Sequence, residues 1–168
     1  MKRTWQIVIV AALIIGLCGA SYGALHWRGS RQPQATGSTS SRQSSSPAVP
    51  DRDEEIALIS GTMKDFARAL VQKDFTNFYG TFSSVWQKQT TPAAVTEAFN
   101  SFLPFGREVQ KSVTSGEPFL NAPPSIGEKN ILTLQGYYRI EATKMLFSLQ
   151  YIDENSSWKL LGMNLEVK

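Results

Sequence analysis

The stretch that decides the fold is Met145–Val167, MLFSLQYIDENSSWKLLGMNLEV. Met145, Phe147, Leu149 and Tyr151 alternate with Leu146, Ser148, Gln150 and Ile152. After a turn at DENSS, Leu161, Met163, Leu165 and Val167 alternate with Leu160, Gly162, Asn164 and Glu166. Period-two alternation on both sides of a turn describes two antiparallel strands with one face on a core. Upstream, Asn130–Glu141 gives the preceding strand, with Leu132, Leu134, Gly136, Tyr138 and Ile140 on one face and Thr133, Gln135, Tyr137 and Arg139 on the other.

Further back the period changes. Ile56, Ile59, Met63, Phe66 and Leu70 recur at helical spacing behind Asp51, which serves as a cap followed by acids in the first turn. Lys73-Asp74 interrupts, and Phe75, Phe78, Tyr79, Phe82 and Trp86 continue as a second helix through FTNFYGTFSSVW, with Gly80 as its weak point. Thr91-Pro92 opens a third helix, buried along Val95, Phe99 and Phe102 and ended by Pro104. Glu108–Thr114 reads as an irregular first strand, and PFLNAPPSIGEK as a loop whose prolines forbid a regular ladder. The expected fold is α+β, three N-terminal helices packed on one face of a bent antiparallel sheet, over residues 51–168.

In front of that domain the composition shifts twice. MKRTWQIVIVAALIIGLCGASYGAL carries Lys2 and Arg3 and then no charge through Leu25. Residues 1–28 read as a membrane anchor spanning at 5–25, with Trp5, Tyr22 and Trp27 near the interfaces. A cleaved signal is the rival, with small residues around Cys18-Gly19-Ala20. A lipoprotein signal is disfavoured by Leu17 before the cysteine. Residues 29–50, rich in Ser, Gly, Pro and Gln, lack the apolar surface to fold and read as a disordered tether.

Lys2 and Arg3 compete with Arg28 and Arg31, so the positive-inside count is nearly even; the shortness of the N-terminal tail favours a cytoplasmic N-terminus and a domain exported beyond it, periplasmic or extracellular. The pI of 9.1 is misleading about partners: residues 1–50 carry +5 and the remainder −2. Nucleic acid is therefore not an expected partner. Cys18 is the sole cysteine, so the domain has no disulfide framework.

ALVQKDFTNFYGTFSSVWQKQTTPAAVTEAF, followed by GYYRIEA and the terminal hairpin, resembles the NTF2-like (cystatin-like cone) superfamily over roughly residues 53–167, especially its small bacterial extracytoplasmic domains of unknown function. The resemblance implies a bent sheet wrapping a long first helix around an apolar cavity. It also implies either a non-catalytic binding or assembly module or a cavity enzyme of isomerase or hydrolase type. One span with an exported domain is, besides, similar in layout to inner-membrane scaffold subunits of bacterial secretion machines.

Within such a cone, Tyr79, Trp86, Phe99, Tyr138 and Trp158 are the expected cavity lining. Tyr79 and Tyr138 are the only hydroxyls offered for chemistry, since the apolar faces carry no carboxylate and the single histidine, His26, lies at the membrane edge. Arg139 and Glu141 read as a surface pair on the outer sheet face. Asn155-Ser156-Ser157 matches a glycosylation acceptor, relevant only to a eukaryotic secretory route. The sequence assembles no metal cluster, phosphate loop or nucleophile triad, so no cofactor is expected. The reading is a membrane-tethered, non-catalytic binding or assembly module. Its expected partners are the cytoplasmic membrane, an envelope protein or a second copy, or a small apolar ligand.

Overall fold

The computed structural model describes residues 48–141 and 143–168. The anchor at 1–28 and the tether up to residue 47 lie outside the described residues. Among the described residues no helix is long and apolar enough to cross a membrane.

The domain is α+β, helices first and an antiparallel sheet after them. Helix α1 runs Arg52–Gln72; the Asp51 carboxylate accepts the Glu54 N–H at 2.9 Å, so the expected cap forms. Lys73 takes the left-handed conformation at φ 55°, which lets the Asp74 N–H return to the Ala69 carbonyl and close the helix.

The single aromatic helix expected from Phe75 to Trp86 is two: α2, Thr76–Gly80, and α3, Ser84–Gln87. Between them the chain passes beside the sheet, where Phe82 bridges Leu160 and the Ser83 N–H donates to the Leu160 carbonyl at 2.8 Å. Ser83, fully buried, then caps α3 by accepting the Trp86 N–H. Helix α4, Pro92–Ala98, opens with Thr91 accepting the Ala94 N–H, as expected. Pro104 does not end that helix; it sits inside a 3-10 segment, Asn100–Phe105, that follows.

Glu108–Thr114 is helical, not a strand: it belongs to α5, Gly106–Ser115. Val109 and Val113 are four residues apart and buried, so their β-branched character gives way to tertiary packing of that stripe. At the start of α5, a Cβ on Gly106 would meet the Cβ of Leu70 at 3.1 Å, so its lack of a side chain lets α5 approach α1.

The loop from Phe119 onward forms two short strands, β1 (Phe119–Leu120) and β2 (Ser125–Ile126), both paired to β3 (Ile131–Ile140). Strands β4 (Thr143–Asp153) and β5 (Trp158–Val167) complete an antiparallel meander ordered β1-β3-β4-β5. The alternation holds along β3 and β4. In β5 a bulge shifts it: Leu160 faces Tyr151 and Gly162 faces Gln150, leaving Leu161 as the extra residue. Leu160, not Leu161, therefore enters the core, with Met163 and Leu165 beyond it.

The helices cover the sheet face that carries Leu132, Leu134, Tyr138, Met145, Phe147, Leu149 and Tyr151, all in one buried cluster with Ile59, Met63, Phe66 and Leu70. Phe66 is the hub of the helical side, with ring centroids of Phe75, Phe78, Phe99 and Phe102 between 4.9 and 6.2 Å away. The Tyr151 hydroxyl pins α1 to the sheet, at 2.8 Å from Thr62 Oγ1 and 3.2 Å from the Leu58 carbonyl.

Candidate functional site

The five residues expected to line one cavity are dispersed. Phe99 is 3% exposed and stacks on Phe75 at 5.9 Å within the aromatic cluster. Trp86 stacks on Phe82 at 3.8 Å. The Tyr79 hydroxyl donates to the Gln87 carbonyl at 2.9 Å, and Gln87 Nε2 answers on the Tyr79 carbonyl at 3.1 Å, a closed local exchange that staples α2 to α3. Trp158, half-buried at the start of β5, lines a shallow depression of about 360 Å³ with Leu58, Thr62 and Tyr151. Tyr138 alone reaches a larger opening.

That opening is a cleft of about 570 Å³ at one end of the sheet. Helix α1 supplies Arg52 from its first turn, α5 supplies Glu108 and Lys111, and the chain from Gly116 to Leu120 forms the rim with Glu117 and Phe119. Tyr138, Arg139 and Glu141 close the β3 side. The cleft exists because the row occupied by β1 ends where β1 meets Tyr137, while β3 continues to Ile140. Gly136 makes that crossing possible: a Cβ there would press into the Phe119 carbonyl oxygen and stand 2.7 Å from Phe147 Cζ.

The chemistry of the walls is mixed. Arg52, Lys111 and Arg139 face Glu108, Glu117 and Glu141 around one opening, yet no ion pair joins any two of them. Glu108 Oε2 is buried without a hydrogen-bond partner among the described residues. The expected Arg139–Glu141 surface pair does not form. Glu141 leaves the strand at φ 49°, and the Arg139 guanidinium lies over the Phe119 ring at 5.0 Å. Phe119, 45% exposed, stacks on Tyr137 at 5.0 Å, and Lys144 Nζ stands 4.6 Å from the Tyr137 ring on the same outer surface.

Tyr138 is 1% exposed, and its hydroxyl lies 3.5 Å from Ser60 Oγ. Burial pushes its phenol above the ordinary range; the Ser60 bond opposes the shift and the Glu117 charge adds to it. A neutral phenol with a serine neighbour donates or accepts a hydrogen bond but takes no proton at neutral pH. The cavity-enzyme alternative needs a carboxylate against Tyr79 or Tyr138, and the hydrogen bonds of both hydroxyls go to Ser60 and to the Gln87 and Thr90 carbonyls.

The described residues also bury a carboxylate that the apolar faces read from the sequence did not include. Glu55, on the first turn of α1, is 5% exposed, and desolvation raises its pKa against the pull of Arg52, with Asp51 adding to the rise. It lies outside the cleft lining. The charged ring escaped the sequence reading because its members come from four separated segments. Two of them, Glu108 and Lys111, lie in the stretch whose sequence reads as a strand, and Glu117 stands between that stretch and the loop that starts at Pro118. No family model, curated protein or solved structure matches the chain.

Proposed function

We infer that the domain is a binding or assembly module, held at a bacterial cytoplasmic membrane by residues 5–25 and displayed outside the cytoplasm on its tether. The NTF2-like cone reading belongs to this proposal, supported by a long first helix laid on an antiparallel meander. The working surface is the cleft between α1, α5 and the β1–β3 crossing. Its occupant is a polypeptide segment bearing charges of both signs beside an apolar side chain. The observation that carries this is the ring of six charged side chains with no ion pair among them, set around Phe119 and Tyr138. Charges that do not pair with one another across an opening retain their attraction for a complementary ligand.

A photo-reactive amino acid in place of Phe119, in cells of the host, tests the reading. The expected result is one adduct of defined mass, absent when the label replaces exposed Val71 on α1 and lost when Lys111→Glu and Arg139→Glu are added. Equal labelling from both positions, or none from Phe119, overturns it.

A further inference from the structure

We propose that two copies of this chain associate through the edge of β5 that no described residue pairs with, adding strand to strand about a twofold axis at Leu165 and making one continuous sheet. This goes beyond the cleft and does not depend on what the cleft binds.

The backbone geometry defines which groups are available. Lys144 and Lys168 exchange both main-chain hydrogen bonds, 2.8 and 2.9 Å. In an antiparallel ladder the bonded pairs alternate, so Asn164 and Glu166 also direct their N–H and C=O groups to β4. Met163, Leu165 and Val167 direct theirs away from the sheet, and no described residue accepts or donates to them. Leu160, nearer the start of the strand, already gives its carbonyl to Ser83. The open stretch thus begins after the bulge.

An edge of this kind is normally blunted by proline, by lysines along the strand or by a covering element. From Leu160 to Val167 there is neither proline nor lysine. A strand that pairs antiparallel with itself needs self-complementary side chains. With the axis at Leu165, Met163 of one copy faces Val167 of the other and Leu165 faces its own mate, so all three outward-facing residues find bonded partners. Leu160 and its Ser83 contact fall outside the paired segment.

On the outer face the same register sets Asn164 opposite Glu166. These two residues carry Asn164 Oδ1 and Glu166 Oε1, two of the three buried side-chain oxygens that lack a hydrogen-bond partner among the described residues. The pair is a non-bonded one, in which side chains approach most closely; the asparagine amide N–H donates to the facing glutamate oxygen, while Asn164 Oδ1 gains no donor from a carboxylate. Glu166 keeps Lys168 at 3.1 Å on its other oxygen, so the second copy meets a neutralised carboxylate.

Sedimentation of the full chain at micromolar concentration is expected to give a dimer, and Val167→Pro is expected to abolish it with circular dichroism unchanged. The Val167 N–H points away from β4, so proline removes intermolecular bonds and leaves the β4 ladder intact. Should Val167→Pro fail to fold, disulfide trapping decides. In a Cys18→Ser background, Asn164→Cys chains mixed with Glu166→Cys chains are expected to cross-link between the two kinds, and neither kind with itself. A monomeric parent overturns the proposal, as does a dimer that survives Val167→Pro, or a mixture that forms no mixed disulfide.

Discussion

The sheet half and the helical half of this domain solve the same packing problem by different means. Strands β3, β4 and β5 run ten, eleven and ten residues, broken only by the bulge in β5. The helical half has one long element, α1, and then short pieces of five, four and seven residues before α5. A strand's hydrogen bonds go to its neighbours, so once alternation chooses the buried face, pairing fixes the rest. A helix as short as α2 or α3 gains little from its own hydrogen bonds. Those pieces stay in place because Phe66, Phe75, Phe78 and Phe99 pack on one another and because Ser83 satisfies the first turn of α3, as Thr91 does that of α4.

Removing the hub is the hardest test of that contrast. Phe66→Ala is expected to cost about 3–5 kcal/mol in urea unfolding, because its ring touches four others with no ladder to compensate. A loss under about 1 kcal/mol would show that the short helices rest on something other than ring packing.

Gly136→Val attacks the sheet half at its least regular point and is expected to cost about 1–3 kcal/mol. Amide exchange should then rise at Phe119 and Leu120 while β4 and β5 stay protected. Uniform loss of protection would mean that β1 is integral to the sheet and not an accessory row.

Tyr151→Phe probes the joint between the halves, since its hydroxyl bonds both Thr62 and Leu58. The expected cost is about 1–2 kcal/mol, and the double variant with Thr62→Val should add less than the sum of the two single changes.

The smallest effects are electrostatic and of opposite sign. The Ser84 backbone N–H first, and its hydroxyl next, hold the Glu154 carboxyl below its ordinary 4.5. Its contribution is complete above that value and is lost as pH falls through the depressed folded pKa. Glu154→Gln should therefore flatten the acid limb of a thermal-melt profile. Glu55 is raised above 4.5 by burial, so the fold carries a penalty once pH exceeds its folded pKa and none below 4.5. Glu55→Gln should raise the melting temperature at neutral pH and leave it unchanged in acid.

The same contrast explains what the sequence alone conveys. The faces of β3 and β4 are legible residue by residue, because alternation is a property of the chain itself. The bulge at Leu161 is not, since alternation back from Val167 and Met163 selects Leu161 and only the pairing of Leu160 with Tyr151 puts Leu160 in the core instead. In the helical half, the aromatic stripe from Phe75 to Trp86 fits one helix as well as two, and the break follows from Leu160, far along the chain, claiming Phe82 and Ser83. The cleft was hidden for the same reason: its charges come from segments whose nearness is set by the α1–α5 crossing at Gly106 and the β1–β3 crossing at Gly136.

The Tyr151 bonds to α1 carry a consequence for biogenesis. Ser60, Thr62 and Leu58 meet their sheet partners 78, 89 and 93 residues later. A chain emerging from a ribosome or a translocation pore offers its phenylalanine-rich half long before Tyr138 and Tyr151 appear. Local meander contacts form quickly, whereas closure over such separations is slow. Until those residues emerge, the aromatic side chains of the first half lack their sheet cover, and exposed apolar surface of that kind is what holding chaperones engage.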